Sequence, residues 1–67
     1  MSGGPHVHHW ALIEYGQEEH VQVVKTTKGQ AAAEEAAWAW GRRHLSPGAV
    51  KRAVVRYLGQ SEPFTRY

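Results

Sequence analysis

Cysteine is absent from this chain, and methionine and phenylalanine occur once each. Without cysteine there is no disulfide, no thiolate nucleophile and none of the Cys/His spacings of a closed zinc site. That usage fits a reducing compartment, so a cytoplasmic location is expected. No stretch approaches the ~20 apolar residues a membrane span requires. The start, MSGGPHVHH, lacks the basic-then-apolar order of a signal peptide. Also missing are a Gly-Xaa-Ser-Xaa-Gly elbow, a phosphate-cradling Gly-rich loop and a His-Glu-Xaa-Xaa-His pair. A chain of 67 residues also struggles to wall off a pocket of roughly 300 Å3 or more. The sequence therefore predicts no enzyme, no metal site and no cofactor.

What is present is one small domain's worth of chain. Chains of this size bury only about 60% of the surface they expose when unfolded, so the core is thin. Short chains compensate with disulfides, metals or self-association; three tryptophans and three tyrosines keep a homodimer in play. Residues 1–5 are expected to be a flexible tail, 6–59 the domain, and 60–67 a C-terminal tail. Net charge is +2 but unevenly spread. Residues 1–41 carry two lysines against five glutamates, a balance of −3; residues 42–67 carry six cations against Glu62, a balance of +5. Such asymmetry points to an anionic partner or to ordinary solvated faces.

The expected fold is α+β. Residues 7–15 and 20–26 are rich in β-branched and aromatic side chains and flank GQEE, which reads as a β-hairpin. Alternation places Trp10 and Leu12 on one face with Val21 and Val23. Ile13, Tyr15 and His9 fall on the other with His20. The Trp10 set is the larger apolar patch and is expected to pack on the helix; the His9 set is expected to stay partly open. Residues 29–44 form the clearest helix, with six alanines among positions 31–39, the residue that favours helix most. Thr26-Thr27 are its expected cap. Ala33, Ala36, Ala37, Trp40 and His44 form one stripe. Trp38 lies about 160° from Trp40 on the wheel, so Trp40 is expected in the core and Trp38 outside it.

Residues 49–58 fit two templates. As a helix, Val50, Ala53, Val54, Tyr57 and Leu58 follow the i, i+3, i+4, i+7, i+8 pattern, with Ser46 as cap, Pro47 in the first turn and Gly59 as stop. As a strand, three valines and a tyrosine would give the hairpin a third partner. The strand is preferred, giving ββαβ order, with a second helix as the alternative.

HVHHW, residues 6–10, concentrates three of the five histidines. His6 and His8 project to one side and His9 to the other, beside His20, so the imidazoles do not form one ligand set. A pH-dependent surface is a simpler use for them. The paired glutamates, Glu18-Glu19 and Glu34-Glu35, read as solvated charges.

Two functional readings follow. In the first, Arg42, Arg43, Lys51, Arg52 and Arg56 contact nucleic acid in a small regulatory module, and phosphate contacts make binding salt-dependent. The stretch GRRHLSPGAVKRAVVRYL resembles the turn and second helix of a helix-turn-helix DNA-binding motif. That resemblance implies that Ser46, Lys51, Arg52 and Arg56 face phosphates or base edges. The turn is about one residue short of the family pattern, and a hairpin stands where the family has a helix. With a strand at 49–58, the sheet would instead be a single-strand platform with Tyr15 and His9 as stacking partners. In the second reading the chain is a protein-interaction module, an inhibitor or adaptor of the kind mobile elements encode. It acts as a homodimer through an exposed Trp38 or an open sheet edge, unless Phe64 or Tyr67 covers Trp38.

Overall fold

A computed structural model describes residues 7–61. The element order is β1 (His8–Tyr15), β2 (His20–Thr26), α1 (Gln30–His44), α2 (Pro47–Arg52) and β3 (Val54–Ser61). The expected tails fall outside the described residues, apart from Gln60 and Ser61, which belong to β3. His6, Phe64 and Tyr67 also lie outside them.

The hairpin forms as its sequence predicts. Tyr15 pairs with His20, and Gly16-Gln17-Glu18-Glu19 closes the turn, with Glu19 N–H donating to the Gly16 carbonyl at 3.3 Å. β3 then pairs antiparallel on the other side of β1, so the sheet order is β2-β1-β3. β2 and β3 consequently run the same way with β1 between them, and the helical segment is the crossover that such a pair of strands requires. The β1–β3 register slips between Trp10 and Ala11. The slip is absorbed around Gly59, whose φ of 122° is open to glycine and strained for other residues.

Helix α1 begins later than a threonine cap would place it. Gly29 is the N-cap, with no side-chain cap bond, while Thr26 Oγ1 accepts from Lys28 N–H at 3.2 Å and serves the turn instead. The helix ends where Leu45 turns extended and its N–H donates to the Gly41 carbonyl at 2.8 Å. Ser46 caps α2 as the helical template for this stretch requires, accepting from Ala49 N–H at 3.2 Å, with Pro47 in the first turn. The two templates for residues 49–58 are each realised in part. The helix ends at Arg52, Ala53 is extended, and the strand runs from Val54 through Gly59, which does not act as a helix stop.

Ala11, Ile13, Ala33 and Ala37 are completely buried, and Val24, Trp38, Trp40, Leu45, Ala53, Val55 and Tyr57 pack around them. The face of the sheet that meets α1 is therefore the Ala11–Ile13 face, opposite to the expectation from apolar bulk. The reason lies on the helix. Ala33, Ala37 and Gly41 recur every four residues and form a seam of small side chains, all buried. A Cβ at position 41 would fall 2.8 Å from Ile13 Cδ1, so Ile13 packs against the bare helix backbone there and would have to shift to admit a larger residue. Such a seam seats against a small residue such as Ala11, whereas Trp10 and Leu12 would hold the helix away. Trp38 and Trp40 each lie about 80° from the midline between Ala37 and Gly41 at 100° per residue. They straddle the seam, so both pack on one core.

Candidate interaction surface

Among the described residues, the reversal leaves the more apolar face of the sheet without a covering element. Cross-strand partners share a face, and the pairing lays this one out in rows. Lys25, Trp10 and Gly59 form one row, Val23, Leu12 and Arg56 the next, and Val21, Glu14 and Val54 the third. Leu58 protrudes on the same side, because burial alternates along β3 with Val55 and Tyr57 inward and Val54, Arg56 and Leu58 outward. Val21, Val23, Val54 and Leu58 are 48%, 42%, 49% and 51% exposed. That is roughly half the surface of four large aliphatic side chains on one face of a very small domain.

The polar groups on this outer face are mostly engaged with it. Trp10 Nε1–H donates to Ser61 Oγ at 2.8 Å, and the His8 ring lies 6.2 Å from the Trp10 ring. Lys25 Nζ sits 5.4 Å from the Trp10 ring centroid, a cation–π arrangement. Arg56 faces Glu14 at 3.6 Å. Each row thus holds one charged residue, and each of these charges has a neighbour on the face.

The residues singled out from sequence do not assemble into one surface. His9, Tyr15 and His20 are on the helix side of the sheet, so the platform with Tyr15 and His9 as stacking partners does not form on the open face. His9 Nδ1 and the Tyr57 hydroxyl share a hydrogen bond of 2.9 Å. The rings of His20, Tyr15, Trp40 and His44 follow one another at centroid distances of 5.6, 5.4 and 4.8 Å. His20 also approaches Glu18 at 3.4 Å. Trp38 packs on the core cluster instead of standing free. No three histidine, aspartate or glutamate side chains converge as a metal-ligand group among the described residues.

The five cations are similarly divided. Arg42 is ion-paired with Glu35 on its own helix. Arg42 and Arg43 stand in the last turn of α1, and Lys51 and Arg52 in the last turn of α2, where the negative helix end favours cations. Arg56 belongs to the sheet. A second helix of six residues that stops before Arg56 is also too short to present the recognition surface that the helix-turn-helix resemblance implies.

Among the described residues, hollows flank the helices, two of them sizeable. The larger is an open cleft of about 620 Å3 between the hairpin turn, the start of α2 and the start of β3; Glu14, Glu19, Arg52 and Arg56 line it. It is an open groove rather than a walled-off pocket. The smaller, about 370 Å3, is lined by Arg42, Leu45, Pro47 and Val50. No helix is long and apolar enough to cross a membrane among the described residues.

Alternation alone could not have revealed the outer face, because both faces of the hairpin carry large apolar residues. The signal was the Ala33–Ala37–Gly41 seam, whose flatness demands a small partner on the sheet. Comparisons with protein families, curated proteins and solved structures found no match.

Proposed function

We propose that this protein is a small, non-enzymatic interaction module that works by burying the outer face of its sheet against another protein. One observation carries the reading: the sheet is apolar on both faces, and the helices of the described residues cover only one. A sheet with two apolar faces belongs in a stack of layers, and exposed apolar patches rimmed by polar groups mark protein contact sites.

The composition of the face favours protein over nucleic acid. Single strands are held by aromatic stacking and phosphate-binding cations. Here the aromatic rings are confined to Trp10 and the neighbouring His8 at one end of the face, valine and leucine supply most of the rest, and the two cations already have neighbours in Glu14 and Trp10. Arg43, Lys51 and Arg52 make no ion pair among the described residues. They support nucleic-acid contact as a second reading, at the helix ends and away from the sheet.

A binding titration separates the two. Under the protein reading, random duplex and single-stranded DNA bind weakly or not at all at low salt, and the outer-face methyl resonances stay in place. Tight binding that falls steeply with salt and moves the signals of Leu12, Val23 and Val54 would overturn it.

A further inference from the structure

We infer that the occupant of the outer face is a second copy of this chain, packed face to face about a twofold axis. The inference rests on the proposal that this face docks a protein, and it names the partner.

The first argument is internal to the fold. The fully buried core contains three alanines and a single large side chain, Ile13. A core that thin is marginal, and the usual supports of short chains are disulfides, metals and self-association. Cysteine is absent, and no metal-ligand group of three occurs among the described residues. A foreign partner would have to be present wherever this chain folds. A second copy always is.

The second argument is that the face suits itself. A twofold interface brings one patch against the same patch, so each row must tolerate its own chemistry. Valine and leucine do. The one carboxylate, Glu14, stands beside Arg56 at 3.6 Å, and this pair can exchange partners across the axis without leaving a charge alone. Lys25 lies on the edge strand β2, at the margin, where it is exposed and its ammonium rests over the Trp10 ring while keeping access to water.

The third argument is size. Strands of seven or eight residues at about 3.3 Å per residue, three abreast at about 4.8 Å, make a face of about 25 by 14 Å. With side-chain relief, two such faces approach the roughly 1,000 Å2 at which specific interfaces begin. Sheets packed this way sit about 10 Å apart with strands aligned to within about 30°. The result is a four-layer dimer, helix on sheet on sheet on helix.

The experiment is sedimentation equilibrium of the full chain over a roughly hundredfold range of concentration. It is read together with methyl relaxation caused by a soluble gadolinium chelate at Leu12, Val21, Val23, Val54 and Leu58. The expected result is a dimer whose outer-face methyls are shielded. Leu58→Glu is then expected to weaken dimerisation about a hundredfold and to unshield them. If that variant loses its fold on dilution, a wild-type melting temperature that rises with concentration carries the same conclusion. A concentration-independent monomer with accessible methyls overturns the second copy and leaves the docking face for another protein. A dimer with accessible methyls overturns both, because association then uses a different surface. A monomer with shielded methyls also overturns both, because the chain then covers its own face.

Discussion

The inner and outer faces of this three-stranded sheet come from alternate residues of the same strands, yet they are built for different jobs. The inner face is modest in bulk and tightly specified. Ala11 lies beneath the helix seam, Ile13 packs against the bare backbone at Gly41, and Val55 and Tyr57 complete the contact. The outer face carries more large aliphatic surface, but nothing in the described chain shapes it. Bulk alone does not decide which face of a sheet a helix covers. Fit to the helix does, because interiors are close-packed and a gap costs the contacts along its lining.

The sharpest way to break the inner face is Ile13→Ala. It removes the one large, fully buried side chain, and such changes cost about 2–5 kcal/mol, which is comparable with the total stability of a small domain. Urea unfolding is expected to show most of the molecules unfolded without denaturant. The corresponding truncation outside, at Leu58, is expected to leave the dilute monomer folded. Retention of a cooperative transition in Ile13→Ala at near wild-type midpoint would remove the distinction between the faces.

The second test adds bulk where the first removes it. Gly41→Leu drives a side chain into the space of Ile13 Cδ1, and overpacking of this kind costs about 1–3 kcal/mol even after the better helix propensity of leucine. Combining it with Ile13→Val, which shortens the facing side chain, is expected to recover part of the loss. Strict additivity in this double-mutant cycle would mean that the two positions do not touch.

How much of this was legible in the residues differs from element to element. The hairpin, the Ala-rich helix, the Ser46 cap and the ββαβ order follow from local patterns, because turn chemistry and alanine propensity act within a few residues. The split of residues 49–58 into helix and strand was harder. Both patterns are genuine, and Ala53 divides them only because the chain must reverse to reach β1. The sidedness of the sheet was not legible from alternation at all. It depends on a contact between Ile13 and Gly41, far apart in sequence, and both faces score as apolar. The candidate surfaces followed the same fate. Tyr15, His9 and His20 are candidates only if their side of the sheet stays open, and α1 packs on that side, although His20 itself remains exposed; Trp38 is a candidate only if it stands off the helix's packed face, and it rests against the core cluster. The charge asymmetry was legible, but not that Arg42 and Arg56 would find Glu35 and Glu14.

The smallest expected effect is also the one that isolates the comparison most cleanly. Valine and threonine have nearly the same shape, so exchanging them at matched positions varies polarity while holding volume almost constant. On the inner face, Val55→Thr places a hydroxyl against the Ala11–Ile13 core, where an unpartnered polar group costs about 1–3 kcal/mol. On the outer face, Val23 is 42% exposed, and the threonine hydroxyl can turn to water. In the dilute monomer Val23→Thr is expected to change stability by less than about 0.5 kcal/mol, as surface substitutions do. The same substitution withdraws apolar surface from the proposed contact, so it should weaken association at concentrations where the monomer's stability is unaltered. A variant that costs as much in the isolated chain as Val55→Thr would show that position 23 is already part of the monomer's own core, and the two faces would no longer be distinct.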